Sequence, residues 1–93
     1  LFSDFVPAPK NLLELHLELW VDGAWRQRGE ARSMLYSPAH IVSELKTFLT
    51  LADNDVIMTG TPAGVGPVVS GEHFEARLYS GHSMLISANW TAI

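Results

Sequence analysis

The run Leu13-Glu14-Leu15-His16-Leu17-Glu18-Leu19-Trp20-Val21-Asp22-Gly23-Ala24-Trp25-Arg26-Gln27-Arg28 decides the fold class. Up to Val21 it alternates strictly. Leu13, Leu15, Leu17, Leu19 and Val21 share one face, and Glu14, His16, Glu18 and Trp20 share the other, which is the period of a half-buried strand. Asp22-Gly23 then supplies the two positive-φ positions of a type I′ turn, so Ala24 to Arg28 returns as the second strand of a hairpin.

Downstream, Ser37-Pro38 opens a helix: the hydroxyl accepts from an orphan backbone N–H, and proline at the first helical position forfeits no hydrogen bond. Ile41, Val42, Leu45, Phe48 and Leu49 follow at helical spacing, predicting one buried stripe on a helix from Pro38 to Leu51. Asp53-Asn54-Asp55 turns the chain. Val56-Ile57-Met58 is then a continuous apolar run of strand length, predicted to be a strand covered on both faces. In the tail, Phe74, Ala76 and Leu78 alternate with Glu75, Arg77 and Tyr79. The chain turns at Ser80-Gly81 and returns through Met84, Ile86, Ala88 and Trp90 as a second hairpin. Upstream, Pro7, Pro9 and Lys10 mark residues 1–12 as an extended arm. The pattern is mainly β with one α-helix.

Composition narrows the function classes. The chain has 93 residues, a formal net charge of −4 and no cysteine, which allows one domain and excludes a disulfide framework, a thiolate zinc site and a cysteine nucleophile. A chain this size buries only roughly 60–65% of its unfolded surface. Cysteine-free composition fits a reducing compartment, and the expected location is cytoplasmic. The six Lys plus Arg are spread singly, which argues against nucleic acid as a partner. No apolar run approaches the ~20 residues of a membrane helix, so no membrane association is expected. The chain starts at Leu1 without an initiator Met, and it is expected to be the end of a longer protein.

The segment Thr59-Gly60-Thr61-Pro62-Ala63-Gly64-Val65-Gly66 carries the chemistry. Its glycines and proline allow a tight turn with N–H groups pointing outward, and two threonine hydroxyls add donors, so the loop can receive an anion. It is neither a P-loop nor a dinucleotide fingerprint, because no Gly-Lys-Ser/Thr follows and the glycine spacing is wrong. On the residues alone, a plain strand-to-strand connection that needs glycines is the favoured reading, because glycine clusters are common in turns.

The run Asp55-Val56-Ile57-Met58-Thr59-Gly60-Thr61-Pro62-Ala63-Gly64-Val65-Gly66-Pro67 resembles the signature near the C-terminus of the fumarylacetoacetate hydrolase family. The Val21-Asp22-Gly23 hairpin with Arg26-Gln27-Arg28-Gly29, then Met34, the helix from Pro38 and Gly71-Glu72, extend the likeness over most of the chain. The nearest members in pattern are bacterial acylpyruvate hydrolases and the isomerase/decarboxylase of aromatic catabolism. The resemblance implies a fragment of a mixed-β roll: residues 1–93 as the C-terminal portion of one catalytic domain, with 1–12 as an arm and 13–93 carrying hairpin, helix, signature strand and loop, and final hairpin. It also implies a homodimer, a small 2-oxo acid substrate, and Mg²⁺ or Mn²⁺ held by a Glu-x-Glu pair and an Asp upstream of residue 1. By the same resemblance Gly60 and Thr61 bind the substrate carboxylate, while no catalytic or metal-binding residue falls in this stretch. The implied activity is hydrolysis of a carbon–carbon bond in acylpyruvate or fumarylpyruvate-type 2,4-dioxo acids. Isomerisation or decarboxylation of 2-hydroxy-diene-dioates is the alternative, as is a non-catalytic binding or dimerisation module.

Other polar clusters receive simpler readings. Glu14, His16 and Glu18 lie two apart on one strand face and could suit a divalent metal, but a solvated or dimer-facing strand explains them. His40, His73 and His82 lack ligand spacing and are expected at the surface. Asn54 stands where the family has Gly, a mild change because Asn tolerates the left-handed conformation. Glu30-Ala31-Arg32-Ser33 departs from the family's Thr-rich, Asp-containing stretch.

Overall fold

A computed structural model describes residues 3–93. Residues 1 and 2 of the arm lie outside the described residues. Strands β1 (Leu15–Val21), β2 (Ala24–Glu30), β3 (His73–Ser80) and β4 (Ser83–Thr91) form one four-stranded sheet in the order β2-β1-β3-β4. Every pairing is antiparallel. One helix, α1 (Pro38–Lys46), and two 3₁₀ turns, Leu12–Glu14 and Ala31–Ser33, complete the regular structure among the described residues. The mainly β architecture with one helix is as expected.

The first hairpin follows from its turn. Asp22 has φ 51° and Gly23 φ 78°, the paired positive values a type I′ turn needs. Asp22 also ties the hairpin to β3: its N–H donates to the His73 carbonyl at 2.8 Å, and its Oδ1 accepts from the His73 N–H at 2.9 Å. The strand itself begins later than the alternation predicts. Asn11 caps a 3₁₀ turn by accepting from the Leu13 N–H at 3.0 Å, so Leu13 and Glu14 leave the ladder and β1 starts at Leu15.

Register places Leu17, Leu19 and Val21 opposite Leu78, Ala76 and Phe74, and Leu78, Ala76 and Phe74 opposite Ile86, Ala88 and Trp90. Facing residues share a sheet face, so this is the apolar row. Phe74 stacks on Trp90 with ring centroids 5.5 Å apart. Among the described residues the buried hydrophobics are Val21 and Phe74, 4% and 5% exposed. Met84 departs from the predicted row. An irregularity between Leu78 and Tyr79 pairs Tyr79 with Met84 while Leu78 pairs with Ile86, so a bulge turns Met84 to the other face and leaves it exposed. The turn is also displaced by one residue: Ser80 pairs with Ser83, and Gly81 (φ 58°) with His82 forms the loop.

Two elements differ more. Helix α1 starts as expected, with Ser37 Oγ accepting from the His40 N–H at 3.1 Å. It ends at Lys46 instead of Leu51, because Thr47 turns its hydroxyl onto the Glu44 carbonyl at 2.7 Å and the following backbone bonds shorten. Phe48 and Leu49 therefore leave the stripe and are exposed. Val56-Ile57-Met58 forms no strand, and Val56 and Met58 are exposed. A strand requires a ladder partner, and among the described residues none pairs with this run.

Candidate functional site

Residues 59–64 form a loop laid against β2, and its conformation explains its composition. Gly60 has φ 99° and Gly64 φ 103°, values at which an L side chain is strained. Around Gly60 the space is open, so the glycine there serves the backbone angle alone. At Gly64 a Cβ would also stand 3.2 Å from Gln27 Cγ and 3.5 Å from the Arg26 carbonyl oxygen. Gly29 of β2 has no room for a side chain either: a Cβ would meet Pro62 Cγ at 2.8 Å. Glycine in a strand interior often marks such a close approach of a second backbone.

This packing builds an open groove of about 920 Å³. Leu15, Leu17 and Leu78 of the sheet form its apolar floor, Met34 and Ile41 line one end, and Gly60 and Thr61 form a wall. Both loop residues expected from the sequence are thus brought to one concave surface, and both are exposed. Among the described residues nothing accepts from the N–H of Gly60 or of Thr61. An apolar groove with a few convergent donors is the usual form of a small-molecule site, and such donors suit a carboxylate.

Gln27, quoted above only within the Arg26-Gln27-Arg28-Gly29 likeness, is the residue to which the sequence assigned no role. Its Nε2 donates to the Pro62 carbonyl at 2.8 Å and lies 3.4 Å from Thr61 Oγ1. The signal available was Gly29, two positions along the same strand face.

The polar sheet face, expected to be solvated or dimer-facing, carries ion pairs and ring contacts of its own. Glu18 Oε2 accepts from Arg28 Nη1 at 3.3 Å, its Oε1 accepts from Trp20 Nε1 at 3.1 Å, and Arg28 Nη2 reaches Glu30 Oε1 at 3.0 Å. His16 stacks on Tyr79 at 4.8 Å, and Arg77 lies over the Trp20 ring at 4.6 Å. The side chains of His16 and Glu18 are only 15% and 16% exposed, covered by these aromatic and guanidinium groups, while Glu14 in the 3₁₀ turn is exposed. With Glu18 committed to Arg28 and Trp20, Glu14, His16 and Glu18 do not fit a metal site. Among the described residues no group of three or more His, Cys, Asp or Glu is placed to hold a metal ion. Arg77 hydrogen-bonds the Glu75 carboxylate, which holds Glu75 below the usual carboxylate range and raises Arg77. His40, His73 and His82 are exposed.

Comparison with known proteins places these features in a wider group. The family model described as fumarylacetoacetate (FAA) hydrolase C-terminal matches residues 3–90. The human protein named oxaloacetate tautomerase FAHD1, mitochondrial, is 43% identical over 84 residues, which are 88% of this chain and 38% of that protein. The oxaloacetate decarboxylase, mitochondrial, of Dictyostelium discoideum is 39% identical over 72 residues, 75% of this chain and 33% of that protein. Among solved structures, maleylpyruvate hydrolase from Sphingobium sp. SYK-6 superposes with a TM-score of 0.80 at 27% identity, covering 92% of this chain and 31% of that one. The yeast fumarylacetoacetate hydrolase family protein ynq8 superposes with a TM-score of 0.81 at 30% identity, covering 88% and 35%. The chain thus spans well under half the length of these relatives.

Proposed function

The chain belongs to the fumarylacetoacetate hydrolase family, and from that premise we propose that it forms the carboxylate-binding wall of an enzyme that tautomerises or decarboxylates a small 2-oxo diacid of the oxaloacetate type. The observation that carries this reading is the exposed Gly60-Thr61 edge, which lines a mostly apolar groove and whose N–H groups meet no acceptor among the described residues. Relatives named for oxaloacetate chemistry support the substrate class. Both reactions develop negative charge along the 2-oxo acid, and fixed donors beside its carboxylate hold the substrate while that charge forms.

In the intact protein, Thr61→Val removes one donor to a charged group, a loss of about 1.5–3 kcal/mol or roughly 10-fold or more in KM for oxaloacetate. Unchanged kinetics would overturn the carboxylate role. A second reading, hydrolysis of a carbon–carbon bond in an acylpyruvate, is favoured by the likeness to maleylpyruvate hydrolase. Product analysis separates the two: hydrolysis yields pyruvate and a second acid, decarboxylation yields CO₂, and tautomerisation yields neither. No turnover of either substrate class would leave the third reading, a binding or dimerisation module.

The divalent ion proposed, Mg²⁺ or Mn²⁺, has no ligand set among the described residues, and no role toward it is assigned to Glu14, His16 or Glu18. The proposed assembly is a homodimer, which sedimentation of the intact protein measures. The proposed location is cytoplasmic, although the two curated relatives above are named as mitochondrial; fractionation of the native host decides between them.

A further inference from the structure

Thr61, Pro62 and Gly64 close around a single side chain from a distant strand. Gln27 stands opposite Leu19 in the β1–β2 register, so it shares the face of the groove floor. The atom 2.8 Å from the Pro62 carbonyl must be the amide nitrogen, because a carbonyl oxygen only accepts. That assignment also decides the contact with Thr61. An amide N–H has only a proton to offer, so Thr61 Oγ1, 3.4 Å away, receives it on a lone pair. The hydroxyl's own proton is then left free of Gln27, and Thr61 is one of the residues that line the groove.

Two glycines make this arrangement possible. Gly29 admits the Pro62 ring against β2, and Gly64 admits the Gln27 stem against the returning loop. A Cβ at Gly29 would push the Pro62 ring off β2, and one at Gly64 would crowd the Gln27 stem at 3.2 Å.

We infer that Gln27 is a positioning residue: its amide holds the 61–64 loop on β2 and orients the Thr61 hydroxyl as a donor to the substrate carboxylate. This rests on the proposed role of Thr61. It assigns Gln27 a place in binding, acting through Thr61 and the Pro62 backbone without touching substrate.

The test is steady-state kinetics of the intact protein with oxaloacetate, comparing Gln27→Glu, Gln27→Leu, Thr61→Val and the double variants. In Gln27→Glu a carboxylate faces the Pro62 carbonyl and accepts from the Thr61 hydroxyl, drawing its proton away from the groove. Expected is a rise in KM of about fivefold or more with kcat within about twofold, and less than a twofold further rise when either Gln27 change is added to Thr61→Val. Gln27→Leu keeps the side-chain bulk and removes both bonds, so it carries the same test if the glutamate variant does not fold. A merely structural tie would lower kcat together with binding and would add its full effect in the Thr61→Val background; that result overturns the inference. So does a normal KM in both Gln27 variants while Thr61→Val still raises it, which leaves the proposed carboxylate role standing. A normal KM in Thr61→Val removes that role, and the inference with it.

Discussion

Gly60 and Gly64 occupy similar backbone conformations, φ 99° and 103°, in different surroundings. An alanine at Gly60 meets open space and suffers only the left-handed penalty of about 1–2 kcal/mol. At Gly64 the same penalty is joined by a tight contact of 3.2 Å with the Gln27 stem. Gly64→Ala is therefore expected to lower the thermal midpoint of the intact protein more than Gly60→Ala does, and to raise KM as the loop leaves Gln27. Equal effects would mean that the approach of Gln27 is not constraining. Glu75 offers a residue-scale check of the polar face. Its carboxyl is held below the ordinary range, first by the hydrogen bond from Arg77. A lowered folded value means that the contribution to stability is present above the unfolded carboxylate pKa and is lost as pH falls through the folded one. A carboxyl NMR titration of the intact protein should place Glu75 below an ordinary Glu, and Arg77→Ala should return it toward the usual range. Much of this scale was legible in the sequence. Asp22-Gly23 has one good use, a type I′ turn, and Asn54 takes the left-handed conformation (φ 71°) expected of it. The part played by Gln27 was not, since its partners stand 34 and 35 residues away.

At the scale of elements, success followed the range of the forces. Both hairpins are specified by alternation and a two-residue turn, and both form. The start of α1 is equally local: Ser37 Oγ caps the His40 N–H. Ser37→Ala is expected to cost about 1 kcal/mol, read as faster amide exchange in the first turn of α1 in the intact protein, with Ser37→Asp restoring protection. If protection does not change, the cap is not what holds this end. The helix end and the run Val56–Met58 escaped sequence reading for a common reason. Phe48, Leu49, Val56 and Met58 are apolar enough to continue a helix or a strand, but all four are exposed here, and among the described residues no layer or ladder receives them. Periodicity reports that a residue can be buried; it does not supply the surface that buries it. The bulge that turns Met84 outward is likewise a property of the pairing with Tyr79 rather than of the strand alone.

The molecule as a whole is held by its sheet more than by a core. Val21 and Phe74 are the buried hydrophobics among the described residues, while Leu35, Phe48, Met58 and Val65 are each more than two-thirds exposed. The Cα radius of gyration is 14.6 Å, against roughly 12 Å for a compact chain of this length. Burial of apolar surface is the main term opposing chain entropy, and the two large terms nearly cancel even in well-packed domains. With so little burial, the ladders and the Phe74–Trp90 stack leave a shallow minimum for the 93 residues taken alone. Expressed as an isolated stretch, they are expected to retain β-rich far-ultraviolet circular dichroism, to bind a hydrophobic dye such as ANS, and to melt without a sharp calorimetric transition. With further chain covering these faces, melting is expected to be cooperative, with the paired amides of β1 and β3 protected together from exchange. A sharp two-state transition in the isolated stretch, with ANS excluded, would show that the sheet and its turns suffice. In that case the apolar groove floor of Leu15, Leu17 and Leu78 would be a surface that the fold tolerates rather than one that must be covered for folding.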